Sequence, residues 1–161
     1  MNRLGEKDVI RALLAAGHEP AVSVFDQGTE TAEAAARELD VDVSRIIKSM
    51  VFTVDGAPVL ALLPGDTRAD TKAIKKLLKA KKVRLADPDK VLQWTGYPVG
   101  AVPPVGHASP LPVLLDLSIA GGGKIYPAAG EMNNLFETTL EKLLGMTGGT
   151  LCAISRPREG G

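Results

Sequence analysis

The sequence predicts an α/β or α+β fold in which a mixed sheet is flanked by helices. Apolar stretches of strand length alternate with short helical stretches, giving about six to seven strands and five helices. Two neighbouring strands, residues 45–54 and 57–63, are apolar at nearly every position, which indicates burial on both faces, as in a covered sheet or a closed barrel. The length fits one domain over residues 1–161, with a frayed tail at 155–161.

Periodicity and turn residues define the elements of the first half. They are a helix at 6–16, a strand at 21–25, a helix at 32–39, and strands at 45–54 and 57–63. The first helix keeps its apolar residues on one face, and Gly17 ends it. Thr31 is a typical N-cap for the second helix. Asp55-Gly56 between the two long strands predicts a hairpin turn.

The second half repeats this alternation. Its elements are a helix at 70–80, a strand at 83–86, a helix from 88 to Gly96, strands at 113–117 and 124–129, a helix at 140–144 and a strand at 150–154. Asp70 and Thr139 are predicted N-caps, and Pro88 occupies a first helical position. In the helix at 70–80, the predicted apolar stripe consists of Ile74, Leu77 and Leu78.

Residues 96–107 form a loop with three glycines and three prolines among twelve residues. Its remaining residues are mostly apolar, unlike those of a disordered linker. Tyr97 is one of the apolar side chains that can fix this loop to a core. We interpret the loop as a rigid wall that presents backbone amides to a ligand, with His107 beside the pocket. The alternative is an ordered connector between strands.

Lys48 is the anomaly in an apolar strand. In a regular strand it shares a face with Ile46, Met50 and Phe52. Such a lysine must extend its amine to water, pair with an acid or serve a ligand. The functional interpretation is a cation at the mouth of a pocket, placed for a phosphate or a carbonyl oxygen, with Ile46 and Met50 beside it as candidates for substrate binding. The alternative is a lysine at a strand end with its amine in water.

Two polar features are weaker candidates. Lys72, Lys75, Lys76 and Lys79 have the spacing of one helical stripe, which can contact nucleic-acid phosphates without reading sequence or can be a solvated face. The turn over residues 130–134 places backbone amides and polar side chains, including those of Gly130 and Asn133, at a strand end. This turn fits ligand binding and a plain turn equally well.

Composition excludes several classes of function. The formal net charge is zero, so no global basic surface predicts nucleic-acid binding. One cysteine excludes an internal disulfide framework, and the two histidines have no ligand spacing, so no metal is expected. No apolar run approaches the ~20 residues of a membrane span. Without a leader sequence, the chain is expected to be cytoplasmic.

Three groups of segments carry a more specific signal. They are TAEAAA at 31–36 with RIIKSMVF at 45–52, DTRAD at 66–70 with KVRLA at 82–86, and TGYPVGAVPPVG at 95–106. Taken in order, and with Gly130 and the TGG of 147–149, they resemble the YbaK family. That family includes the inserted editing domain of bacterial prolyl-tRNA synthetase and its free-standing relatives. The resemblance extends from about residue 20 to residue 154.

The resemblance implies a mixed, barrel-like sheet flanked by helices, and hydrolysis of the ester that joins a wrong amino acid to the 3′ end of a tRNA. The family's key lysine falls on Lys48, and its G-x-x-x-P loop falls on Gly100 and Pro104. The amides from Gly100 through Ala101 to Val102 then donate to the substrate carbonyl and to the oxyanion as it forms. No cofactor or metal is implied.

Three functional alternatives follow. The leading one is a free-standing deacylase for alanine mischarged on tRNA for proline, with a synthetase possible as the partner that selects the tRNA. The second is the same chemistry with cysteine as the substrate. The third is a non-catalytic module that binds tRNA ends or an adenosine-like ligand.

Overall fold

The computed structural model describes residues 3–25 and 31–158. The helices are α1 (Glu6–Ala15), α2 (Ala32–Leu39), α3 (Thr71–Leu78), α4 (Pro88–Thr95) and α5 (Leu140–Thr147), with 3-10 turns at Val43–Arg45 and Leu117–Ile119. The strands are β1 (Val22–Val24), β2 (Ile46–Val54), β3 (Ala57–Pro64), β4 (Thr67–Ala69), β5 (Val83–Leu85), β6 (Val113–Asp116), β7 (Lys124–Pro127), β8 (Asn134–Phe136), β9 (Thr138–Thr139), β10 (Thr150–Cys152) and β11 (Ser155–Pro157).

Seven strands form one curled, mixed sheet with helices around it, which confirms the predicted fold class. The order is β10-β6-β3-β2-β7-β9, and β5 also pairs with β2. β2 and β3 form the predicted antiparallel hairpin, whereas β6 pairs in parallel with both β3 and β10. Two antiparallel ribbons, β1–β8 and β4–β11, lie outside this sheet.

β2 is buried on both faces, as its composition predicts. Ile47 and Val51 belong to one apolar cluster, Phe52 to a second, and Ile46 to a third that includes residues of α2. Alternate side chains of a strand point to opposite faces, so these clusters cover the two sides of the sheet. A strand sandwiched in this way is a rigid support for any functional group that it carries.

One edge of β2 changes neighbour part-way along the strand. β3 pairs with the other edge over the whole hairpin. On the changing edge, β7 pairs at Ile46 and Ile47, and β5 pairs at Phe52–Val54. Residues 48–50 therefore lie in a gap between two neighbours, and the loop at 96–107 lies beside this gap.

The end of the chain corrects one prediction. Ser155–Pro157 is not frayed, because it forms β11 and pairs with β4, while residues 159–161 lie outside the described part of the chain. Buried Asp116 fixes the approach to β11, since its carboxylate accepts hydrogen bonds from the Ile154 amide (2.9 Å) and the Ser155 hydroxyl (2.6 Å). The amide and hydroxyl of Ser118 donate to the same carboxylate.

Other predictions of elements are confirmed with small shifts in their bounds. Thr31, Asp70 and Thr139 each cap a helix through a side-chain oxygen. The exception is the stripe of α3, where only Ile74 is buried, whereas Leu77 and Leu78 are 45% and 37% exposed. The helix therefore rests on the sheet along a narrower line than its sequence predicts.

Besides β11, three short strands, β4, β8 and β9, have no counterpart in the sequence prediction. Each has two or three residues, which is too short for an alternating pattern to be visible.

Candidate functional site

Lys48 extends from the middle of β2, at the gap in the sheet edge. Its amine donates a hydrogen bond to the main-chain carbonyl of Thr67 in β4, and the side chain is half-buried. Burial lowers the pKa of the Lys48 amine. The nearby Arg158 guanidinium lowers it further, while Glu33 and Asp66 act in the opposite direction. The Lys48 amine is thus a partly desolvated cation that a hydrogen bond to Thr67 holds in place, rather than an amine that extends freely into water.

A charged cavity of about 390 Å³ opens beside this amine. It is lined by Thr31, Ala32, Glu33, Lys48, Gly65, Thr67, Arg68 and Arg158. Arg158 forms an ion pair with Glu33 across it. The pKa of Glu33 is lowered, chiefly by a hydrogen bond from its own backbone amide and also by Arg158. Three cationic side chains facing one anionic side chain make this cavity suitable for an anion.

A small cavity of about 110 Å³ lies on the other side of Lys48. Its lining is Ala32, Ala35, Ile46, Ile47, Lys48, Ser49, Gly100, Val102, Ala128 and Leu135. The two cavities share Lys48 and Ala32, so one ligand can occupy both. The structure therefore brings together Lys48, Ile46, Gly100 and Val102 of the predicted site.

The loop at 96–107 contributes two residues to the small cavity. Gly100 and Val102 line it, and neither backbone amide has a hydrogen-bond partner within the described ranges. The amide of Ala101 differs, because it donates to the carbonyl of Pro98 at 3.0 Å inside a tight turn. The Ala101 amide is therefore not available as the third predicted donor, because it closes this turn, whereas the amides of Gly100 and Val102 remain candidates.

The interior of the loop is held by other predicted residues. Tyr97 is fully buried, and its hydroxyl donates to the carbonyl of Gly106 at 2.8 Å. His107 Nε2 lies 2.6 Å from the carbonyl of Pro103, and burial lowers the pKa of this histidine. Pro104 is buried behind the cavity wall. None of these three side chains lines the charged or the small cavity, so the structure gives them a bracing role.

Three further candidates also lie outside these two cavities. Met50 lines a separate apolar cavity of about 220 Å³, which shares Ser49 and Val102 with the small one. Gly130 is buried, and a Cβ atom there would come within 2.9 Å of the Gly5 backbone. Asn133 donates to the carbonyl of Phe25 at 2.9 Å. The turn at 130–134 therefore packs the chain rather than lining the small cavity.

The lysines of the predicted basic stripe are exposed. Lys72, Lys75 and Lys76 lie on α3, and Lys79 caps its end in a left-handed conformation. α3 begins at Thr71, soon after Arg68, which lines the charged cavity. The stripe therefore starts close in sequence to the opening of that cavity.

Sequence reasoning missed several residues of the site. Arg158 lies in the segment predicted to be frayed, and neither Arg68 nor Ser49 was predicted to belong to the site. The dipeptide Lys48-Ser49 within an apolar strand was the available signal for Ser49.

Within residues 3–25 and 31–158, no group of three or more His, Cys, Asp or Glu side chains is arranged to hold a metal ion. No helix in that part of the chain is long and apolar enough to span a membrane.

Comparison with known proteins identifies the family. The family model described as "Aminoacyl-tRNA editing domain" matches residues 26–146. The chain belongs to this family. The match includes Lys48 and the whole loop at 96–107, and so both walls of the small cavity.

Individual relatives agree with this assignment. The uncharacterized protein YwhH of Bacillus subtilis is 34% identical over 123 residues, covering 76% of this chain and 78% of that protein. Proline–tRNA ligase of Nitratidesulfovibrio vulgaris strain DP4 is 35% identical over 116 residues, or 71% of this chain but 20% of the ligase. A solved structure of a candidate trans-editing enzyme for prolyl-tRNA synthetase has a TM-score of 0.89 and 33% identity, covering 94% of this chain and 96% of that one.

Proposed function

We propose that this protein is a trans-editing deacylase that hydrolyses the ester of a small wrong amino acid on tRNA. Its proposed substrate is tRNA for proline that has been mischarged with alanine. The observation that carries the proposal is the small cavity, which is lined by Lys48, Gly100 and Val102 together, with no hydrogen-bond partner in the described ranges for the amides of the last two. Membership of the editing family and the relation to prolyl-tRNA synthetase support it. We place this activity in the cytoplasm.

In the proposed reaction, water adds to the ester carbonyl carbon and the carbonyl oxygen becomes an oxyanion. The amides of Gly100 and Val102 donate to that oxygen, and the Pro98–Ala101 turn keeps them oriented before the substrate arrives. The intermediate then collapses, the bond to the ribose oxygen breaks, and that oxygen takes the proton that the attacking water has given up. The products are a free amino acid and a tRNA with a free terminal ribose.

The charged cavity is the proposed binding site for the terminal phosphate of the tRNA. Lys48 lies between the two cavities, so its amine can contact the phosphate while the aminoacyl group enters the small cavity. Arg68 and Arg158 supply further positive charge on the same wall. Phosphate contacts of this kind fix the position of a nucleic acid without reading its sequence.

The size of the small cavity supports a small amino acid. At about 110 Å³, the cavity is several-fold smaller than the roughly 300–1,000 Å³ pockets that take drug-sized ligands, so it favours a small side chain. Apolar side chains, including Ile46 and Leu135, line much of it, which suits the methyl group of alanine. Cysteine adds one sulfur atom and is the second candidate, because a hydrophobic pocket discriminates weakly between such similar side chains.

The test is deacylation of tRNA for proline charged with alanine, cysteine, serine or proline. We expect alanine to be removed fastest and proline to be spared. Lys48→Ala should lower kcat/KM by about 100-fold or more, as removal of a charge-stabilising group does in other enzymes. Lys142→Ala, which alters an exposed lysine on α5, is the matched control and should retain the wild-type rate.

Each other outcome has a defined meaning. Preference for cysteine would identify the second candidate substrate. Hydrolysis of none of the four esters above the buffer rate would refute the enzyme proposal, and binding of uncharged tRNA would then favour a binding module.

The basic stripe of α3 is proposed to contact the tRNA backbone. Lys72→Glu with Lys76→Glu should weaken tRNA binding and reduce its dependence on salt, because fewer counterions are released. Hydrolysis of a short acylated substrate lacking the helical stem should be unaffected. Unchanged tRNA affinity at low salt would exclude α3 from the interface.

A further inference from the structure

Ser49 has polar groups that take no part in the reaction outlined above. Its hydroxyl oxygen is buried and has no hydrogen-bond partner within the described ranges. Buried hydroxyls in native proteins are nearly always paired, because an unsatisfied one costs about 1–3 kcal/mol. Ser49 lines both the small and the apolar cavity, so a ligand in the small cavity can supply the missing partner.

Among the described residues, the main chain of Ser49 also has no partner on the edge of β2 that β5 and β7 share. The carbonyl of Val51 accepts from the amide of Ala86, on the edge of β2 that faces β5. Because backbone groups alternate along a strand, the amide and carbonyl of Ser49 point to that same edge. On that edge, β7 pairs with β2 only at Ile46 and Ile47, and the pairing with β5 starts at Phe52. Ser49 therefore lies in the gap between the two neighbouring strands.

These groups match the chemistry of one part of an aminoacyl ester. A free amine on the α-carbon has at least two N–H donors, and Ser49 offers a carbonyl and a hydroxyl oxygen as acceptors. The positive charge of Lys48, next along the strand, favours the neutral form of such an amine. The ester carbonyl is placed by the amides of Gly100 and Val102, across the same cavity.

We propose that Ser49, through its main-chain carbonyl and its hydroxyl, binds the α-amino group of the aminoacyl ester and makes the enzyme selective for esters with a free amine. This inference rests on the proposed function, since it requires the aminoacyl group to occupy the small cavity. It adds a second criterion to selection by size. Esters that fit the cavity but lack the amine are then poor substrates.

The test compares two esters of tRNA for proline, one with alanine and one with propionate, in which a hydrogen replaces the amine. All rates are divided by the buffer hydrolysis rate of the same ester. Wild type should prefer the alanyl ester by about 30-fold, the scale of two lost hydrogen bonds. Ser49→Ala should lower kcat/KM for the alanyl ester by about 10-fold and change the propionyl ester less than about 2-fold. Ser49→Thr, which keeps the hydroxyl, should restore most of the preference.

The remaining outcomes separate this inference from the proposed function. Equal loss with both esters in Ser49→Ala would overturn the inference and leave a structural role for the serine. Equal rates for the two esters with wild type would overturn it without any variant, even if Ser49→Ala failed to fold. No hydrolysis of the alanyl ester by wild type would refute the proposed function and this inference with it. Ser109→Ala, in an exposed loop, is the control for substitution itself.

Discussion

Asp116 gives the sharpest prediction about how the site is supported. Its buried carboxylate accepts from the Ile154 amide, the Ser155 hydroxyl, and the amide and hydroxyl of Ser118. These bonds hold the segment that leads into β11, and β11 pairs with β4, whose Thr67 carbonyl accepts from Lys48. Substitution of Asp116 should therefore affect both stability and the site.

The magnitude follows from the donors left behind. In Asp116→Ala, the buried Ile154 amide loses its acceptor at a cost of about 1–3 kcal/mol, and hydrogen bonds to a charged group are worth about 1.5–3 kcal/mol each. These terms are not additive, so we expect the free energy of unfolding to fall by about 3 kcal/mol or more. Asp116→Asn keeps the shape and one acceptor oxygen, so a loss of about 1–2 kcal/mol is expected.

Urea unfolding at pH 7 measures these losses. Asp87→Asn is the matched control, because Asp87 is exposed and makes no side-chain cap bond. A loss below about 1 kcal/mol for Asp116→Ala, with an unchanged denaturant slope, would show that the network does not hold the end of the chain.

The same network predicts a pH dependence. Burial acts to raise the pKa of Asp116, but the hydrogen bonds from Ser118, Ser155 and Ile154 outweigh it and hold the pKa below its usual value. A depressed folded pKa stabilises the fold above the unfolded pKa of about 3.9 and loses that contribution as pH falls through the folded pKa. The stability difference between wild type and Asp116→Asn should thus be constant near neutral pH and shrink below about pH 4.

Three shorter predictions concern the cavity walls. Gly100→Ala should lower the deacylation rate strongly without preventing folding, because φ at Gly100 is +93° and the new Cβ atom would come within 2.7 Å of Met132 Cε. A wild-type rate for this variant would contradict the assignment of Gly100 to the wall of the small cavity. His107→Gln should flatten the fall in stability as pH drops below about 6.5, because the folded pKa of this histidine is lowered; urea unfolding at several pH values measures this. Arg158→Gln should raise KM for charged tRNA more than it lowers kcat.

Much of the fold could be predicted because its elements have strong local signals. The hairpin of β2 and β3 has nine and eight residues around an Asp-Gly turn, and three helices have side-chain caps. β4 and β11 have three residues each and contain arginine, so neither shows a strand pattern. Each exists because the other supplies hydrogen-bond partners, which is information that a linear sequence does not hold.

The site was predictable where a residue was out of place in its segment. Lys48 within an apolar strand and the glycines and prolines of the loop are such anomalies. Tyr97 could not be placed from the sequence, because an apolar aromatic residue in a loop can either line a pocket or anchor the loop, and only packing decides between these. Ser49 was missed because its role depends on where two other strands stop.

The paired ribbon of β4 and β11 has a consequence for anyone who excises this domain or grafts it into another protein. The family match ends at residue 146, so a boundary drawn there would remove β10, β11 and Arg158. The truncated piece would retain Lys48 and the loop at 96–107 but would lose the partner of β4 and one wall of the charged cavity. Its proposed catalytic residues would be complete in sequence while part of the proposed phosphate-binding surface was missing, so a minimal unit should extend at least through Arg158.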